Sequence, residues 1–289
     1  MGAFEQHAAA MPASRGRQIH AADVIALLRE VYADGIGTRD EAEELIAFDY
    51  SLTDPAPGWR EFFAATIADH VTRRQAPFGI VDGEKASWLI RALSRGRHTL
   101  TAGGLEALIR VIETAQEISP ALAAFAIRQL RPTVIAGRGP ASSVRLNLKR
   151  AVDPESAATI RRILLGAAGQ SSRPVSREEA EALFDLHDLA AGGDNDADFD
   201  DLFVKAIAHY LIAVAGRDVP GRRDALARHA NFPGSAQAAV LSADEIAWLS
   251  SQIMRDGRPT KTEIALLRYF AGDAGATDPA CLQLVIEAA

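Results

Sequence analysis

Two stretches of this chain match each other closely in pattern, and they constrain the fold more than any other feature. TRDEAEELIAFDYSL, which begins at Thr38, matches SREEAEALFDLHDLA, which begins at Ser176. Downstream, WREFFAATIADHV from Trp59 matches FDDLFVKAIAHYL from Phe199, and SWLIRALSRG around Trp88 matches AWLSSQIMRDG around Trp248. The order is the same in both halves and the gaps are nearly equal. Self-similarity of this kind marks a repeated supersecondary unit, whose faces are buried by its neighbours.

Each half divides again into an apolar-periodic run, a short turn, a second run, a loop and a third run. In the first run Val24, Leu27, Leu28 and Val31 recur at helical spacing; in the third, Phe62, Phe63, Ile67 and Val71 share one face. Aromatic content is only 6% while alanine and leucine abound, which favours helix over sheet. The expected fold is therefore all-α: two duplicated helical domains, each of two three-helix units. The boundaries read as a mobile tail over 1–18, a first domain over 19–130, a linker over 131–152 and a second domain over 153–289. The linker sits where RPTVIAGRGPASSVRLNLKR breaks the periodicity. Asp54-Pro55, Ser119-Pro120, Asp153-Pro154 and Asp278-Pro279 each set a capping residue before a proline, as at a helix start.

The net charge of −7 argues against broad nucleic-acid binding, which needs a basic footprint. One cysteine, Cys281, excludes an intrachain disulfide and suits a reducing compartment. The first residues lack a secretory apolar core, and no apolar run reaches the roughly 18 residues that span a bilayer. The expected location is the cytoplasm, with no membrane association.

The turn YADGIGTRDEAE, from Tyr32, raises a cation-binding question. With Gly35 set at position 6 of a calcium loop, Asp34, Thr38 and Glu41 fall on ligand positions, but Tyr32 occupies a place that needs a short oxygen ligand. The MRDGRPTKTE turn fits less well, with Met254 and Pro259 at unsuitable places. Thr38–Glu41, Ser176–Glu179 and Thr260–Glu263 instead share the pattern in which a hydroxyl and a carboxylate reciprocally cap a helix start. Capping covers three units, whereas the cation reading covers parts of two, so a structural turn is the expectation.

The Asp-Gly followed by Ser/Thr-x-x-Glu between two helices resembles the tellurite-resistance TerB-like domains, and the resemblance would cover most of the chain twice. It implies an all-α fold, no known catalysis and a divalent-cation site at the acidic turns. Residue by residue, that points to Asp34 and Glu41, and to Asp256 and Glu263. The third unit departs from the pattern, with Gly169-Gln170 at its turn.

A weaker cation candidate is GGDNDADFDDLF, with Asp194, Asp196 and Asp198, although Phe199 stands where a calcium loop needs glycine. His187 and His209 replace Asp49 and Asp69 in the aligned halves. At about 1.5 Å per helical residue they fall on the order of 10 Å apart, so partly exposed helix positions are expected for both rather than a metal pair. Arginines between Arg131 and Arg162 make the middle of the chain locally basic, which would suit an acidic partner; no interleaved aromatics offer a stacking platform for bases. Nucleophile-elbow, zinc-protease, P-loop and dinucleotide motifs are missing. The expected function is a non-enzymatic helical module that binds a protein partner or self-associates. The alternatives are a divalent-cation-binding stress protein and, third, an enzyme with a site between the halves. No firm cofactor is expected; a divalent cation belongs to the second of these readings.

Overall fold

The computed structural model describes residues 17–19, 35–136, 150–170, 173–227 and 241–271. Asp34, Asp278, Pro279, Cys281, the first apolar run and the last one lie outside them. The chain is mostly helical. In order come β1 (Arg17–Ile19), α1 (Arg39–Ser51), β2 (Leu52–Pro55), α2 (Pro57–Asp69), β3 (Ile80–Val81), α3 (Gly83–Ser94), α4 (Ala102–Thr114), β4 (Glu117–Ile118), α5 (Pro120–Arg128) and α6 (Arg131–Ala136). They are followed by α7 (Pro154–Gly166), α8 (Arg177–Ala190), α9 (Ala197–Val214), α10 (Arg222–Ala225), α11 (Ala243–Ile253) and α12 (Lys261–Ala271). None of the described helices is long and apolar enough to cross a membrane.

The caps explain where the helices begin. Thr38 with Glu41 and Ser176 with Glu179 form reciprocal capping boxes at α1 and α8. Thr260 and Glu263 do the same at α12, Thr260 N–H donating to Glu263 Oε2 at 2.7 Å and Glu263 N–H to Thr260 Oγ1 at 3.2 Å. Each box satisfies two backbone donors that the helix itself leaves free. Asp153 caps α7 through its side chain, and Ser119 holds the capping position of α5 without a side-chain bond. Asp54-Pro55 departs from the expectation: it lies in β2, and α2 starts at Pro57.

The short strands are an addition to the all-helical expectation. The segment that leads into a unit's first helix pairs with the segment between its second and third. β1 pairs parallel with β2, and β3 with β4. At the corresponding place in the third unit, Asp196 N–H donates to Val152 O at 2.9 Å, and Val152 N–H donates to Asn195 Oδ1 at 2.9 Å. Two-residue pairings carry no alternating pattern, so composition does not announce them. Part of the irregular stretch 131–152 is also ordered helix: α6 buries Thr133 and Val134.

One continuous apolar core runs from Ile36 to Phe270. α2 packs on α4, α9 packs on α12, and α5 packs on α8 across the middle of the chain. Side-chain contacts recur at matching positions. The Arg39 guanidinium lies 5.1 Å over the Trp88 ring and that of Arg177 lies 5.9 Å over Trp248. His70 meets Trp88 at 5.9 Å, and Tyr210 meets Trp248 at 5.0 Å. Trp59 stacks near Phe63 as Phe199 lies against Phe203.

Candidate metal centre

The last turns of α1 and α8 each face the start of a helix from the following unit, and the two junctions differ in chemistry. In the first half, Asp49 Oδ1 accepts from Trp59 Nε1 at 2.8 Å, and the Thr101 hydroxyl donates to its other oxygen. Thr101 caps α4 as Thr260 caps α12. Gly103 and Gly104 occupy the places of Thr262 and Glu263. A Cβ on Gly103 would come within 2.5 Å of Asp49 Oδ1, so glycine makes room for the carboxylate. Both Asp49 oxygens are engaged and the junction is closed.

In the second half His187 takes the place of Asp49, and Phe199 the place of Trp59. His187 is 1% exposed, and its ring stacks on Phe203 at 4.5 Å and on Phe199 at 6.4 Å. Its Nε2 sits 3.3 Å from Thr260 Oγ1. Its Nδ1 is buried with no hydrogen-bond partner among the described residues, as is Asp188 Oδ1. Nδ1 lies 3.9 Å from Asp188 Oδ1 and 3.9 Å from Glu263 Oε1. One ligand atom from each of these three residues lies within 4.8 Å of the other two. Arg255 holds Asp188 Oδ2 at 2.8 Å and Asp185 Oδ1 at 3.0 Å, which turns Asp188 Oδ1 toward the cluster. Glu263 Oε2 is fixed by the cap, leaving Oε1 to face His187.

Burial pushes the Glu263 carboxyl above its ordinary pKa, against the Thr260 N–H and the His187 ring, which favour the anion. Asp256, though exposed, is raised by the partial loss of water around its turn and by Asp188 nearby. Two carboxylate oxygens beside an imidazole nitrogen call for positive charge between them. A proton on Nδ1 could not bond either oxygen at 3.9 Å, which is beyond hydrogen-bond reach. A metal ion spans such gaps. At zinc bond lengths of about 2.1 Å, tetrahedral ligands stand about 3.4 Å apart, so each 3.9 Å gap from His187 to a carboxylate would close by about 0.5 Å, with a fourth ligand such as water still to be added. One imidazole with two carboxylates suits zinc or manganese better than calcium, which takes six to eight oxygens.

The residues named from sequence fall in different places. Glu263 is in the cluster; Asp256 is exposed at the turn beside it. Glu41 is exposed, and its Oε2 accepts from Gly37 N–H and Thr38 N–H. Asp34 lies outside the described residues. Asp196 caps α9 by accepting from Asp198 N–H, and Asp194 is exposed beside it. His187 and His209 are not the partly exposed positions expected. His187 is enclosed by aromatic rings, and His209 is fully buried, its Nδ1 accepting from Val175 N–H and its Nε2 donating to Pro220 O. Asp188 escaped notice because its partner Glu263 is far along the chain. The usable signal was the exchange of Asp49 for His187 at aligned positions. Comparison with family models, with curated proteins and with solved structures finds no match.

Proposed function

We propose that this chain is a non-enzymatic helical protein, built from two copies of one pair of helical units, that binds a divalent transition-metal ion through His187, Asp188 and Glu263. The observation that carries the reading is a fully buried imidazole nitrogen without a hydrogen-bond partner, facing two carboxylate oxygens. The matched contacts of the two halves support the duplication, and the closed Asp49 junction gives an internal contrast: where no ion is held, hydrogen bonds engage both oxygens. The resemblance to TerB-like domains accords with an ion near the fourth unit's turn. Asp188 and Glu263 would bind in ionised form, with His187 neutral and held by Thr260 through its other nitrogen.

Calorimetry on chelator-treated protein, titrated separately with zinc, manganese, calcium and magnesium, tests this. One zinc or manganese equivalent should bind, and His187→Ala and Glu263→Gln should each abolish binding. Glutamine at 263 keeps the capping acceptor, so a folded variant is expected. No heat with any of the four ions, or binding untouched by both substitutions, refutes the reading.

A further inference from the structure

We infer that the cleft between the two halves is a binding site for a small organic anion with an apolar body. The inference uses no part of the cation reading. The cleft measures about 430 Å³, a size suited to a small molecule. It lies where Ile118 and Pro120 of the first half meet the segment leading into α8, the last turns of α9 and Arg222. Ile118 and Val175 are buried in its walls, while Val214, 53% exposed, stands at its rim.

The polar lining is strongly one-sided. Three arginines, Arg173, Arg177 and Arg222, face one acid, Glu179. Arg222 and Glu179 are both buried and joined by a single contact, from Nη2 to Oε2. The same Oε2 accepts from Ser176 N–H. Arg222 Nε and Glu179 Oε1 are thus left buried and without hydrogen-bond partners. A side-on pair would have matched both. Both atoms are closed off from solvent, so the pair stands as a fixed part of the wall. Arg173 is anchored by Nη1 on Ile118 O at 3.3 Å and has no carboxylate partner among the described residues. Arg177 is tied to Glu181 and is exposed above Trp248. The buried pair closes one end of the cleft, Arg173 and Arg177 offer positive charge at its rim, and the apolar walls accept a hydrocarbon body. A carboxylate or phosphate on an aromatic or aliphatic frame would set its charge on the rim arginines and its body on the apolar walls.

The test uses the full chain and the fluorescent anion anilinonaphthalene sulfonate, with the uncharged phenylnaphthylamine as its counterpart. The anion should bind saturably, and Arg173→Ala with Arg177→Ala should weaken it about tenfold while leaving the uncharged probe unchanged. Both arginines are exposed, so the variant should remain folded, as circular dichroism will report. Competition then separates the sources: displacement first by benzoate names a carboxylate ligand, and first by phenyl phosphate a phosphate. Equal loss of both probes in the variant overturns the inference, and so does failure of both competitors to displace.

Discussion

Replacing Asp49 with alanine removes the acceptor of two hydrogen bonds at the first-half junction. Trp59 is fully buried, so its Nε1–H would be left without a partner, at about 1–3 kcal/mol. The half-buried Thr101 hydroxyl would lose its bond as well, adding about 1 kcal/mol. The expected loss for Asp49→Ala is therefore about 2–4 kcal/mol. Asp49→Asn keeps an acceptor for Trp59, and the Thr101 hydroxyl can turn to accept from the new amide, so about 1 kcal/mol or less is expected. The two variants also separate by pH. Burial raises the Asp49 pKa, and the bonds from Thr101 and Trp59 oppose but do not cancel it. A carboxyl whose folded pKa exceeds its unfolded value, about 3.9, holds its proton more tightly when native. Its contribution is present below about pH 4 and is lost as pH rises through the folded value. The asparagine variant carries no such proton, so it should gain on the unsubstituted protein as pH rises from about 4 to 7. Denaturant unfolding followed by tryptophan fluorescence across that range measures both effects. A loss under about 0.5 kcal/mol for alanine, or a pH-independent gap for asparagine, refutes the argument.

Three further outcomes follow from the same structure. Gly103→Ala would place a methyl within 2.5 Å of Asp49 Oδ1, forcing the carboxylate off its partners; about 2 kcal/mol should be lost in thermal unfolding, and much less in the Asp49→Ala background. Lys85 is buried and its ammonium meets the carbonyls of Gln75, Pro77 and Ile80 at 2.7, 2.7 and 2.9 Å, so Lys85→Met should cost about 2–4 kcal/mol in urea unfolding by leaving those acceptors bare. Arg222→Met leaves the Glu179 carboxylate buried without its counter-ion and should cost about 3–5 kcal/mol, whereas pairing it with Glu179→Gln should restore most of that.

The helices were legible because their signals are local. Apolar spacing sets Phe63, Ile67 and Val71 on a buried face, and the capping boxes at Thr38, Ser176 and Thr260 sit where the Ser/Thr-x-x-Glu pattern put them. The short strands were not legible, because a bridge such as Val81 with Ile118 depends on which segments the helices bring side by side. The cluster of His187, Asp188 and Glu263 was half legible. Glu263 followed from its turn, but His187 and Asp188 meet it only because α8 points its last turn at the start of α12. Rise along two successive helices, which placed His187 far from His209, says nothing of contacts between units. The cleft was illegible for the same reason, since its walls come from both halves and its buried pair joins Glu179 to Arg222.

The contrast between the two junctions can be pushed to an experiment on the frame itself. If the halves are copies, the closed chemistry of the first should be transferable to the second. The quadruple substitution His187→Asp, Phe199→Trp, Thr262→Gly and Glu263→Gly rewrites the second junction in the first one's residues, with glycine at 262 making room for the new carboxylate as Gly103 does for Asp49. The new carboxylate should accept from Thr260 and from the new indole, as Asp49 accepts from Thr101 and Trp59. Removing Glu263 also removes the like charge that would otherwise face it, at the cost of one capping bond, about 1 kcal/mol. The helical circular-dichroism signal should persist and cation binding should vanish. A variant that unfolds would show that the two frames are not interchangeable, and one that still binds an ion would place the ion away from His187.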